Sequence, residues 1–263
     1  MDLGIKDRIA LVAASSRGLG LAVAHGLAKE GAKLALCART SAALDAAAEE
    51  IRRQTGADVM TRAVDVTVYD EVRQFVAAVV DRFGRLDVCV ANAGGPPAKN
   101  FAETTVQDWR SAADLNLMST VYLAKEVLPV MQQQHWGRFI AISSVAAKQP
   151  LEGLILSNAV RAGVGGLIKT LSNEYGPFGV LVNSVCPGYT ATARLVDLSR
   201  KLAEKERVEP EEIEARWARQ TALRRVGRPE EFADLVVFLS SERAAYITGA
   251  SIAVDGGLLK GLY

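Results

Sequence analysis

The chain has 263 residues, and its 31 Lys and Arg nearly balance 30 Asp and Glu, for a formal net charge of +1. With 49% hydrophobic and 23% charged residues, the composition is that of a folded globular protein and excludes a disordered chain, a collagen-like repeat or a low-complexity tail. The near-neutral balance argues against a nucleic-acid partner or a membrane surface, either of which calls for a basic stripe.

No apolar run approaches the ~18 residues of a membrane helix. The opening Met1-Asp2-Leu3-Gly4-Ile5-Lys6-Asp7-Arg8 lacks the apolar centre of a secretory leader. A cytoplasmic, enzyme-sized single domain over residues 1–263 is expected. Cys37, Cys89 and Cys186 lie far apart in apolar stretches with no CxxC pair, so they read as buried reduced thiols and no metal site is expected.

In chain order, an apolar run at 9–14 precedes a helix-compatible segment at 19–30. Runs at 33–38, 59–64, 86–91, 138–143 and 181–186 then alternate with helical periodicity at 42–54, 71–83, 106–134, 154–175 and 230–239, and a last run covers 251–254. Most runs are apolar on successive residues, the pattern of strands buried on both faces of a parallel sheet. Gly31, Gly56, Gly84, Gly137 and Gly176 to Gly179 follow helix ends, where a left-handed residue is needed. This alternation predicts right-handed crossovers and an α/β fold: a Rossmann-type doubly wound sheet of seven parallel strands with helices on both faces. Residues 193–225 break the rhythm, being highly charged and without a strand. They read as a solvated helical excursion or as a lid over a ligand site.

The first strand runs into a helix through Ala13-Ala14-Ser15-Ser16-Arg17-Gly18-Leu19-Gly20. A small-residue turn there lets backbone N–H groups approach a pyrophosphate, and the helix N-terminus stabilises its charge. Residues 15–20 are therefore candidate cofactor ligands. An acidic residue at the tip of the second strand would favour NAD(H). The chain has Arg39, which with Arg17 suits a 2′-phosphate, so NADP(H) is expected in preference to NAD(H).

With these residues in view, the chain resembles the classical short-chain dehydrogenase/reductase family over nearly its whole length. The family's TGxxxGxG turn matches residues 13–20, with Ala13 for Thr and Ala14 for the first Gly. The resemblance assigns Asp65 and Val66 to the adenine and Asn92-Ala93-Gly94 to the cofactor. It assigns Pro187, Gly188, Thr190 and Thr192 to the nicotinamide and phosphates. It places the catalytic serine at Ser144 and the supporting helix asparagine at Asn116, and the closing Thr248-Gly249 and Val254-Asp255-Gly256-Gly257 also fit.

The central departure lies at the family's catalytic YxxxK element, whose slots fall on Ser157 and Arg161. Positions i and i+4 share a helix face, so the places survive while both residue types change. A tyrosine with its pKa lowered from ~10 is a usable proton donor. A serine hydroxyl is not, and an arginine stays protonated. Loss of a positioned general acid costs about 10²–10⁴ in rate. Three rescues are open: a water held by Ser144 and Ser157 with Asn116 behind it, Tyr189, or Lys148 and Glu152. His25 and His135 are poorer candidates, on the first helix and at the opposite strand end.

The expected function is NADP(H)-dependent interconversion of a small-molecule carbonyl and alcohol with a remodelled proton relay, using Ser144, Asn116, Ser157 and Arg161. The alternative is a catalytically impaired nucleotide-binding sensor or scaffold on the same fold; nothing positive favours a non-redox lyase or isomerase. The helices at 106–134 and 154–175 carry apolar residues beyond what one sheet face buries. In the family such helices pair between subunits, which implies a homodimer or homotetramer.

Overall fold

Strands apolar on every residue need cover on both faces, and here they have it. The computed structural model describes residues 2–262. Met1 and Tyr263, which the sequence reading includes in its 1–263 span and, for Met1, in the stretch without an apolar leader centre, lie outside the described residues. Seven strands, β1 (Ile9–Val12), β2 (Lys33–Ala38), β3 (Val59–Ala63), β4 (Val88–Ala91), β5 (Gly137–Ile142), β6 (Val180–Pro187) and β7 (Ser251–Val254), form one sheet in the order β3-β2-β1-β4-β5-β6-β7. Every neighbouring pair is parallel.

Alternate residues of each strand feed two cores. On one face Val12, Leu36, Val90 and Ile140 pack with α1 (Gly18–Lys29), α2 (Ser41–Thr55) and α9 (Pro229–Leu239). On the other, Leu11, Cys37, Cys89 and Phe139 pack with α3 (Tyr69–Phe83), α5 (Ser119–Gln133) and α6 (Ile155–Tyr175). Burying apolar surface at roughly 25 cal/mol per Å² on both faces is what makes continuous apolar runs stable as central strands. The order reverses between β1 and β4, which opens a crevice at the strands' carboxyl ends. No helix among the described residues is long and apolar enough to cross a membrane.

The three cysteines are unpaired and buried. Burial pushes the Cys37 thiol up to about 12 and raises Cys89 and Cys186 as well.

Two expectations change. The segment 106–134 is not one regular helix. It divides into α4 (Val106–Ala113), a wide π turn at Asp114–Met118, and α5. Gly137 is not a left-handed helix cap either: that conformation falls on His135, at φ 53°. Gly137 already pairs in β5, where a Cβ would stand 2.5 Å from Met131 Sδ. Glycine is there for close packing, and the preceding histidine makes the turn.

The excursion at 193–225 forms α7 (Ala193–Glu206) and α8 (Pro210–Gln220). The two share a small apolar cluster around Ala203, Ile213 and Trp217. Reciprocal backbone bonds pin its base, from Ala191 N–H to the Gly227 carbonyl and from Gly227 N–H to the Tyr189 carbonyl, both 2.9 Å.

At the opposite end of the sheet, Asp87 is fully buried. Its carboxylate accepts from Ile9 N–H at 2.9 Å, from Arg8 Nη1 at 3.3 Å and from Arg85 Nη2 at 2.6 Å. Two guanidiniums approach the Trp136 ring, Arg8 at 3.8 Å and Arg138 at 4.2 Å from its centre. This assembly ties the N-terminal segment to β4 and β5.

Candidate active site

β1 passes into α1 through a turn that needs a left-handed residue twice, at Ala14 (φ 49°) and Gly18 (φ 62°). Gly18 takes this conformation freely; Ala14 does so at about 1 kcal/mol, because its Cβ crowds the following carbonyl. Asn92, just past β4, offsets part of that cost by donating from Nδ2 to the Ala13 carbonyl at 3.2 Å and the Ala14 carbonyl at 3.4 Å. Gly20 is required by proximity, since a Cβ would stand 2.5 Å from the Ala14 carbonyl oxygen. Ala14→Gly is therefore expected to raise the midpoint of thermal unfolding by about 2–4 °C in differential scanning calorimetry.

Ser15 faces inward, fully buried, donating from Oγ to the Cys37 carbonyl at 3.3 Å. Ser16, Arg17 and Leu19 stay partly or fully accessible. Arg17, the residue before α1, makes no side-chain cap, and no acidic residue occupies the first turn. The N–H groups there have no carboxylate rival for an anion.

Along the crevice, Arg39, Asp65 and Glu71 line an open cavity of about 510 Å³ with Arg62, which sequence reasoning missed. The signal lies in the strand register. β3 pairs beside β2 with Cys37 opposite Arg62 and Ala38 opposite Ala63, so an arginine near the end of β3 falls next to Arg39. Asp65 closes its own turn by accepting from Thr67 N–H and Oγ1, and Val66 packs into the core.

At the other end, β5 delivers Ser143 and Ser144. The Ser144 hydroxyl accepts from Ala146 N–H at 3.1 Å, which leaves its own proton free to be donated. Asn116 sits in the π turn and donates from Nδ2 to the Gly94 carbonyl at 2.6 Å; Ala93 packs beside it against the core. Asn116 Oδ1 and the Ser143 hydroxyl are buried without a protein partner among the described residues. Such groups cost free energy unless a small polar molecule meets them.

On α6, Ser157 and Arg161 are both buried one turn apart. Arg161 Nη1 donates to the Ile142 carbonyl at 3.2 Å and the Ser143 carbonyl at 2.9 Å, so it is fastened to the end of β5. Burial, then the charge of Arg194, pushes Arg161 down to about 10, and it remains a cation at neutral pH.

Beyond β6, Gly188 lies so close to β7 that a Cβ would stand 2.8 Å from Asp255 Cα. Pro187 pairs with Val254, Thr190 is buried and bridges to Gly227, and Thr192 caps α7 by accepting from Leu195 N–H. The Thr192 methyl also reaches the phosphate turn, 3.7 Å from where a Gly18 Cβ would stand.

The other titratable candidates are occupied elsewhere. Tyr189 donates to Gln220 Oε1 at 3.2 Å and stacks on Trp217 at 5.2 Å, and burial raises its pKa, which makes it a poorer acid. Lys148 Nζ donates to the Ser251 carbonyl and Glu152 is exposed. Burial and Lys29 lower His25 on α1, while His135 lies at the far end of β5.

The crevice as a whole fits a nicotinamide dinucleotide. It offers a glycine turn with uncapped helix amides, an arginine-lined cavity at one end, and unpartnered polar atoms beside Ser144 at the other.

Known proteins resemble this chain along nearly its whole length. A family model described as enoyl-(acyl carrier protein) reductase matches residues 13–259. The 3-oxoacyl-[acyl-carrier-protein] reductase FabG of Aquifex aeolicus is 32% identical over 258 residues, covering 98% of this chain and 100% of the relative. The 3-oxoacyl-[acyl-carrier-protein] reductase of Synechocystis is 37% identical over 254 residues, covering 96% and 97%. Among solved structures, L-sorbose reductase from Gluconobacter frateurii, complexed with NADPH and L-sorbose, superposes with a TM-score of 0.95 at 34% identity over 100% of both chains.

Proposed function

The chain belongs to the classical short-chain dehydrogenase/reductase family, and from its crevice we propose an NADP(H)-dependent oxidoreductase that interconverts a carbonyl and an alcohol through a remodelled proton path. The observation that carries the proposal is the pair of buried, unpartnered oxygens, Asn116 Oδ1 and Ser143 Oγ, beside a serine hydroxyl whose proton is free.

When bound, NADPH supplies the hydride. The chain's residues do the rest. Backbone amides at 15–20 hold the diphosphate, with Ser15 shaping the turn from inside. Arg39 holds the 2′-phosphate with Arg17, and Asp65 and Val66 flank the adenine. Asn92, Ala93 and Gly94 wall the crevice, and Pro187, Gly188, Thr190 and Thr192 close over its nicotinamide end.

Ser144 donates a hydrogen bond to the substrate oxygen, and Arg161 stabilises negative charge developing there without giving up its proton. With Tyr189 engaged on α8, the proton passes through a water between Ser144 and Ser157, which Asn116 Oδ1 and Ser143 Oγ anchor and which regains a proton from bulk solvent. Residues 193–225 act as the lid: Arg194 on α7 reaches across to the Gly95 and Pro96 carbonyls, and Lys205 lies 3.7 Å from Glu103. Ala159, Ala162, Gly163 and Gly166 make a shallow exposed face on α6, flat enough for a helix of a second copy in a homodimer or homotetramer.

The test is NADPH oxidation followed by absorbance over ketones, 3-oxoacyl thioesters and sugars. Turnover is expected with at least one class, and Arg39→Gln should raise the KM for NADPH about tenfold or more while sparing that for NADH, as loss of a charge-assisted contact requires. Tight NADPH binding with no turnover on any class would replace this reading with that of a nucleotide-binding sensor.

A further inference from the structure

Every arginine of α2 and α3, the helices before and after β3, meets a carboxylate. Arg52 pairs with Glu49, Arg53 with Glu50, Arg73 with Asp70 and Arg82 with Asp58. Two arginines at the carboxyl ends of β2 and β3 break the pattern. Neither Arg39 nor Arg62 lies within ion-pair distance of an Asp or Glu among the described residues.

Arg62 has a neutral partner instead. Its Nη1 donates to the Gln74 carbonyl and its Nη2 to Gln74 Oε1, both at 3.1 Å. A guanidinium carries five N–H donors, so these two contacts leave the other three free. The double contact fixes the guanidinium to α3 and adds no negative charge. A glutamate at 74 would offer the same acceptor and cancel the cation.

Arg39 and Arg62 line one open cavity of about 510 Å³ with Ala63, Val64, Asp65 and Glu71. That volume lies within the range of small-molecule sites, about 300–1,000 Å³. Strand register brings the pair together, because Cys37 stands opposite Arg62 and Ala38 opposite Ala63, with Arg39 next along the chain. Both carboxylates of the cavity are engaged by the chain itself. Asp65 Oδ1 accepts from Thr67 N–H and Oγ1, and Glu71 Oε2 accepts from Asp65 N–H at 2.7 Å. The cavity therefore presents two cations without acidic partners, and an anion between them removes their mutual repulsion.

We propose that Arg62, positioned by Gln74, joins Arg39 as a ligand of the cofactor's 2′-phosphate, so that preference for the phosphorylated dinucleotide is set from β3 as well as from β2. This rests on the dinucleotide reading of the crevice given above. A phosphate monoester carries nearly two negative charges at neutral pH and offers three acceptor oxygens. Two guanidinium forks satisfy it better than one. A ribose 2′-hydroxyl is neutral and gains little from the second cation.

The experiment is calorimetric titration of adenosine 2′,5′-bisphosphate and of adenosine 5′-monophosphate into the full chain. The bisphosphate is expected to bind at least about tenfold more tightly. Arg62→Gln should weaken the bisphosphate about tenfold, the size of one lost charge-assisted contact, and leave the monophosphate unchanged. Gln74→Glu keeps an acceptor in place but adds a charge, so it should weaken the bisphosphate about threefold and again spare the monophosphate. An arginine with a merely structural role would move both ligands together, and the glutamate would only strengthen its hold.

Bisphosphate affinity insensitive to both substitutions overturns the proposal and leaves the 2′-phosphate to Arg39. Equal loss of both ligands also overturns it, by assigning Arg62 to the shape of the adenosine pocket. If Arg62→Gln does not fold, Gln74→Glu decides alone, because Gln74 is an exposed residue of α3. Failure of the unsubstituted chain to bind either nucleotide overturns the dinucleotide reading, and the proposal with it. Arg62-dependent preference for the bisphosphate in a chain that reduces no carbonyl upholds the subsite and overturns only the oxidoreductase reading.

Discussion

Ser157→Tyr combined with Arg161→Lys is expected to raise reduction of neutral ketones by about 10²-fold or more, the range restored when a positioned general acid is returned to a site. Both positions lie on the inward face of α6 and are buried one turn apart, so the phenol and ammonium would enter together. The lysine lowers the phenol's pKa, and Ser144 is already free to bind the carbonyl oxygen. Steady-state kinetics with a cyclic ketone check the result, and the gain is expected in kcat. No gain on any neutral ketone would mean that the geometry around Ser144 differs from the family's.

Asp87→Ala is the change with the largest expected effect on stability, about 3 kcal/mol and roughly 6–12 °C in unfolding midpoint. The fully buried carboxylate accepts from the Ile9 amide at the start of β1 and from Arg8, which is itself largely buried. Truncation leaves the amide unsatisfied and the Arg8 charge with the exposed Glu242 as its only acidic partner among the described residues. The contact with Arg85, which is about half exposed, is screened by water and contributes little. A urea titration that shifts the midpoint at unchanged slope would confirm loss of stability, and a shift below about 1 kcal/mol would assign this network a minor role.

The sheet was legible because its message is repetitive. β1, β4 and β5 are buried at every residue, and only a strand covered on both faces tolerates that. The phosphate turn was legible because its glycines are required by backbone geometry at Gly18 and by proximity at Gly20.

What escaped depends on atoms brought together from distant segments. Arg62 looks like any strand arginine until β3 is set beside β2. Arg194 looks like a solvated residue of a charged excursion until its guanidinium meets the carbonyls beyond β4. Tyr189 looks like a substitute acid until its ring is found stacked on Trp217. His135 took the turn that Gly137 was expected to make because Gly137 is needed against Met131. In each case local propensity is overruled by a neighbour far away in sequence.

The π turn at Asp114–Met118 has a consequence for how the long helical segment is set against the sheet. A π turn admits one residue more than a regular turn, which offsets the angular phase of the chain before it by about 100°. α5 keeps Leu123, Val127 and Met131 aligned with the sheet, and the offset sets a different face of α4 toward its neighbours. Asn116 sits at that offset, so the extra residue of the π turn is what turns its side chain to the Gly94 carbonyl while α5 stays in register with the core.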